Sequence, residues 1–378
     1  MLLCCVVALI LDAGAAAALS QATRGPAPSE LKRCFTKGAD RDRCLDAAFR
    51  PFLAGHSTYE TLRLLERSMN DDAEIRLACH PMVHAIGRET FRLKGTIHDS
   101  FAVCDPTCHS GCYHGVVERF LRGDTGGSTN VGHVSQEDLR RKARDACDAQ
   151  AAGRFRFQCL HGLGHAVMYF TGYRLDSALG ICDSLEDTWS QRSCYGGVFM
   201  ENVFSATPEN RDVSRTDYHY PCNRLGARHR GDCYLIQTWR MSEMGLSTEE
   251  LFSECARAGA HRSACVQSIG RDLSNDVRTK DPRLTARTCE RRSADDRRAC
   301  LRGVVYALID NTWDGRYALP FCAALAATED AAYCFRASAD YLIGTFAAPR
   351  GRLAAECGMR ASRVRACLGA IRQAGSSL

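Results

Sequence analysis

The residues able to hold a metal ion or move a proton are gathered in one part of this 378-residue chain. In CLHGLGHAVM, Cys159 to Met168, His161 and His165 stand four residues apart. On a helix they share one face and could hold one ion between them. Upstream, ACHPMVHAIG supplies a second such pair, His80 and His84. Two further segments repeat the frame: GCYHGVVERF carries His114 and Glu118, and SCYGGVFMEN carries Met200 and Glu201. Imidazole and carboxylate are ordinary ligands for zinc, copper and iron. Histidines crowded together without an ion would repel one another once protonated. The candidate metal ligands are therefore His114, His161 and His165 as a three-His site, with His80 and His84 completing it or holding a second ion, and Glu118 and Glu201 are candidate catalytic acids or bases. A bound zinc would activate water for hydrolysis, whereas copper or iron would bring redox chemistry. The HxxxH spacing lacks the glutamate of the zincin motif and by itself names no enzyme class.

The cysteines show what must position these side chains. Of 22, Cys4 and Cys5 lie in an apolar N-terminal run, which leaves an even number beyond it. Most fall into close pairs: 34 with 44, 147 with 159, 182 with 194, 222 with 233, 255 with 265, 289 with 300, 322 with 334, and 357 with 367. The second members, completed by Cys79 and Cys112, succeed one another at intervals of 35, 33, 47, 35, 39, 32, 35, 34 and 33 residues. Such a period is the signature of a helical solenoid. Helix-forming stretches such as CLRGVVYALI follow the second cysteines. Capping signals (Ser57 with Glu60, Ser135 with Asp138, Ser247 with Glu250) open amphipathic stretches before the first ones. The expected fold is all-α, a disulfide-stapled two-helix-repeat solenoid of about ten units, each cystine pinning the end of helix A to the start of helix B. Cys79, Cys104, Cys108 and Cys112 remain; they allow three connectivities, of which the spacing favours Cys104–Cys112 with Cys79–Cys108.

Residues 2–11, LLCCVVALIL, are too short to span a bilayer and are followed by small residues, the pattern of a signal peptide cleaved after Ser20. Residues 21–378 are then a single helical-repeat domain. Its units two to five, about 55–205, carry the His/Glu cluster, and residues 206–378 are C-terminal repeats. A dense, even set of cysteines behind such a leader implies an oxidising compartment, secreted or lumenal/periplasmic. No later segment is apolar enough to cross a membrane. Two insertions, residues 123–134 and the stretch TPENRDVSRTDYHYP before Cys222, could cover the groove of the His-bearing part. A formal charge of +5 without a Lys/Arg block argues against a nucleic-acid partner.

In its two-helix units of this length and its helix-to-helix cystines, the chain resembles disulfide-bonded Sel1-like and tetratricopeptide repeat proteins. The resemblance covers nearly the whole chain and concerns architecture. It implies a superhelix whose concave face takes a partner, here an extracellular peptide, protein or glycan. Units six to ten lose the histidines and place Arg271, Arg302, Arg336 and Arg372 on equivalent turns of helix B, a candidate anion-binding strip. CDPTCH is better explained by cystines than by haem attachment, and no serine-centred elbow supports triad hydrolysis. The function expected is that of a secreted metal-dependent enzyme, a hydrolase or an oxidoreductase. The competing reading is a non-catalytic binding solenoid with structural or pH-sensing histidines.

Overall fold

The computed structural model describes residues 26–123, 135–147, 153–205, 208–360 and 362–374. The leader expected at 1–20 and nearly all of the Gly-rich insertion at 123–134 lie outside the described residues. Every regular element among the described residues is a helix. None is long and apolar enough to cross a membrane. The chain divides into two compact units between Arg122 and Gly123.

The first unit contains α1 (Pro28–Cys34), α2 (Arg41–Gly55), α3 (Thr58–Asp71), α4 (Ala73–Leu77), α5 (Cys79–Lys94), α6 (Ile97–Val103) and α7 (Thr107–Arg122). In α3, Ser57 and Glu60 form the reciprocal capping box that their spacing predicts. The long helices α2, α5 and α7 pack side by side. Their apolar residues recur at helical spacing, as in Leu45 and Phe49, Met82 and Ile86, and Val117 and Leu121, all fully buried. Each such side chain removed from water contributes about 1.5–3 kcal/mol.

The second unit contains α8 (Gln136–Ala146), α9 (Gly153–Phe170), α10 (Leu175–Cys182), α11 (Thr188–Phe204), α12 (Ala227–Tyr234), α13 (Gln237–Glu243), α14 (Thr248–Glu254), α15 (Arg262–Thr279), α16 (Pro282–Glu290), α17 (Ala294–Asp310), α18 (Ala318–Ala324), α19 (Thr328–Gly344), α20 (Arg350–Arg360) and α21 (Val364–Gln373). Short and long helices alternate through most of it. Long helices pack on one another in series: α9 on α11, and α15 on α17, α17 on α19 and α19 on α21. The insertion before Cys222 is tied down by its backbone: Asn202 bonds both the N–H and the carbonyl of Asp212, and the Gln237 amide donates to the carbonyls of Tyr218 and Tyr220.

Ten cystines join the described cysteines. All eight close pairs read from the spacing are present, together with Cys104–Cys112 and Cys79–Cys108. Most local pairs tie the end of a short helix to the next long one; Cys222–Cys233 ties a 3-10 turn to α12. Cys79–Cys108 instead ties α5 to α7, one long helix to the next.

Candidate metal centre

Glycine sets the geometry of the site. On α5, a Cβ at Gly87 would stand 2.0 Å from the carbonyl oxygen of Cys112; on α7, one at Gly115 would stand 1.9 Å from that of His84. No larger residue permits so close a crossing of two backbones. The crossing brings the flanking side chains of both helices to one place. One ring nitrogen from each of His80, His84 and His114 lies within 4.8 Å of the others. His114 and His84 are buried, and His80, a turn earlier on α5, is half-buried. Gly111 makes room for the rings, since a Cβ there would stand 2.4 Å from Val83 Cγ2 and 2.9 Å from His84 Cδ2.

Each imidazole of the α5 pair is oriented through its outer nitrogen. His80 Nδ1 lies 2.8 Å from the Cys108 carbonyl oxygen, and His84 Nδ1 lies 2.6 Å from Glu118 Oε1. A carbonyl oxygen only accepts, so His80 Nδ1 carries the hydrogen. Burial alone would raise the Glu118 carboxyl, but His84, Arg88 and Arg122 outweigh it and hold the group well below the usual carboxylate range. Glu118 is thus an ionised acceptor, and His84 Nδ1 also donates. Its second oxygen receives Arg88 Nη1 at 2.7 Å, while Arg88 Nε donates to Asp46 on α2 at 2.8 Å. Hence the two Nε2 atoms, 3.0 Å apart, face each other as lone pairs when both rings are neutral. That arrangement is repulsive unless a proton or a cation sits between them. Two imidazole nitrogens sharing one tetrahedral ion at its ordinary bond length stand about 3.3 Å apart. Outer nitrogens bonded to a carbonyl and a carboxylate are also the usual outer shell of metal-bound histidine.

In the second unit the same crossing recurs between α9 and α11, where Cβ atoms at Gly164 and Gly197 would stand 2.1 Å and 1.9 Å from the carbonyl oxygens of Cys194 and His161. His165 Nδ1 lies 2.9 Å from Glu201 Oε2, and the His161 and His165 rings are 5.2 Å apart. Gly196 occupies the place that His114 holds in the first unit, one residue before the crossing glycine. A third copy, α15 with α17, crosses at Gly270 and Gly303, the latter against the carbonyl of Gln267. His84, His161 and Gln267 are therefore equivalent. Counting from the second cysteine misses this, since His84 stands five places after Cys79 but His161 and Gln267 only two after Cys159 and Cys265; Cys79 bridges to Cys108 and does not mark the register of α5.

Three arginines of the candidate anion strip are engaged within the protein. Arg271 Nη2 donates to Asp272 at 2.8 Å, Arg302 Nε donates to Gln267 Oε1 at 2.8 Å, and Arg336 bonds Gln373. Sequence reasoning passed over Arg88, Asp46 and His109. The last approaches His80, ring centroids 6.1 Å apart, because Cys108, His109 and Ser110 all take left-handed backbone angles. One signal was available: both halves of the Cys79–Cys108 cystine are followed by histidine. No known protein family matches this chain, and no curated protein or solved structure does so.

Proposed function

We propose that His80, His84 and His114 bind one transition-metal ion of the zinc or copper class, and that the ion serves hydrolytic or redox chemistry on an extracellular peptide, protein or glycan. The observation that carries this reading is the pair of Nε2 atoms 3.0 Å apart, with both Nδ1 atoms already committed to acceptors. All described cysteines are oxidised, so the donors are imidazoles, with no thiolate to enclose a structural zinc. Three protein ligands leave a fourth position for water or substrate, and half-buried His80 is the ligand nearest solvent. Glu118 acts through His84 as a positioning residue, since both of its oxygens are taken. Ten cystines fit an oxidising compartment, where such a protein would work on exported material.

The test is elemental analysis of the full chain, purified without a histidine tag or chelator, beside the double variant His80→Ala, His84→Ala. One equivalent of zinc or copper in the parent, lost in the variant with helix content intact, supports the site. Absence of metal from the parent after reconstitution with either ion would overturn it. The identity of the bound ion then selects hydrolytic or redox assays.

A further inference from the structure

The second unit also holds a cleft of about 390 Å³ that uses none of the five candidate histidines, lined among others by Gln191, Arg192, Tyr195, Arg228, Asp232 and His261. Its volume falls in the range of small-molecule sites. Two guanidiniums are held in place along its wall. Arg192 donates through Nε and Nη2 to Asp232 Oδ1, each at 2.9 Å, and the Asp232 side chain is itself buried. Arg228 donates through Nη2 to Gln191 Oε1 at 2.9 Å, with its Nε 3.3 Å from Asp183 Oδ1. Asp183 is anchored in turn by the Tyr195 hydroxyl and by His229 Nε2. A guanidinium has five N–H donors, and these bonds use only some of them. The remainder are available to a ligand at no further cost in side-chain ordering.

His261 completes the wall. Its ring stacks on Tyr234 at 5.9 Å, and the Cys255–Cys265 cystine spans the turn that carries it. Neither ring nitrogen of His261 is hydrogen-bonded among the described residues. Each guanidinium is balanced by one carboxylate, Asp232 or Asp183, but its unused N–H groups can only donate, so a ligand rich in acceptor oxygens is favoured over a cation. Donors converge from three separate segments, more directions than the two coplanar oxygens of a carboxylate fill. A tetrahedral oxyanion presents oxygens to all three. We propose that this cleft binds a small ligand carrying a sulfate or phosphate group, held by Arg192, Arg228 and His261. The volume left beyond such a group accommodates the organic body of an ester.

The experiment is titration of the full chain with inorganic sulfate, inorganic phosphate and acetate, followed by calorimetry and by the ring resonances of His261. Saturable binding of sulfate or phosphate that moves the His261 resonances, with acetate weaker, is expected; the tighter ion identifies the ester class. Arg192→Gln and Arg228→Gln should each lower affinity about tenfold, the worth of one charge-assisted hydrogen bond. Both side chains are more than half exposed, so the variants should fold, and circular dichroism checks this. If neither tetrahedral ion moves the His261 resonances, or if binding survives unchanged in the double arginine variant, the proposal fails. Acetate binding as tightly as sulfate and phosphate would overturn the choice of a tetrahedral group.

Discussion

Replacing Glu118 by glutamine tests the hydrogen bookkeeping at the metal centre. The carboxylate accepts at both oxygens, 2.6 Å from His84 Nδ1 and 2.7 Å from Arg88 Nη1. Glutamine keeps the shape but accepts at only one. Its carbonyl should turn to the charged Arg88, because a hydrogen bond to an ionised donor is the stronger of the two. The amide N–H then faces His84 Nδ1, which becomes the acceptor. The ring proton moves to Nε2, where it donates across 3.0 Å to the Nε2 of His80. The metal-free variant gains a bond that the parent lacks, while an ion must now displace a proton from its own ligand. Loss of such an outer-shell carboxylate typically weakens metal binding by about 10- to 100-fold, or roughly 1.4–2.7 kcal/mol. Competition with a chelator measures the affinity, and the ¹⁵N shift of His84 Nε2 reports the proton. Undiminished affinity, or a His84 Nε2 that stays unprotonated, would refute the reasoning and leave Glu118 as a partner of Arg88 alone.

Other outcomes follow from the packing and the charges. Gly115→Ala places a methyl group 1.9 Å from the His84 carbonyl oxygen and should destabilise the protein by about 3 kcal/mol in denaturant titrations, the upper range for overpacking. Gly351→Ala, in α20 with open space around it, should instead stabilise by up to about 1 kcal/mol. Removing the Cys322–Cys334 cystine by a double alanine change should cost about 2–3 kcal/mol, the loop-closure value for a bridge of this span. Burial pushes the Asp310 carboxyl up to about 7, against the Tyr341 hydroxyl and Arg271, from an ordinary value of 3.8. The folded chain therefore keeps a proton that the unfolded chain releases, and this group's contribution falls as pH rises between about 4 and about 7. Asp310→Asn should flatten that part of the stability profile and exceed the parent above it, by at most about 4 kcal/mol, as read from urea midpoints across pH.

The staples and caps were legible because each depends on local spacing. A pair of cysteines ten to twelve residues apart, with a helix on either side, closes at Cα separations of 5.4–5.8 Å without help from the rest of the chain. Ser57 and Ser247 need only the residue three places on. The approach of His109 to His80 was not legible, since it depends on three successive non-glycine residues with positive φ, which nothing in their side chains announces. Nor was the register of α5, for which the cysteine was the wrong marker. The right one is Gly87, which meets the carbonyl of Cys112 as Gly164 meets that of Cys194 and Gly270 that of Cys300.

That crossing also explains why one backbone arrangement carries different chemistry. At Gly87 with Gly115, Gly164 with Gly197, and Gly270 with Gly303, the closest approach is glycine against a carbonyl group, so the tightest contact depends on no side chain except by its absence. The residues flanking it are then free to vary. The first unit places His84, His114 and Glu118 around its crossing; the second unit places His161, His165 and Glu201 around one and joins Gln267 to Arg302 across another. Stability and chemistry are thereby carried by different atoms of the same helices. His84→Gln should accordingly abolish metal binding at a smaller loss of stability than Gly115→Ala, that of its one bond to Glu118, because Gln267 already occupies the equivalent place. A loss of stability as large as that expected for Gly115→Ala would show instead that the imidazole, and not the glycine, holds the two helices together.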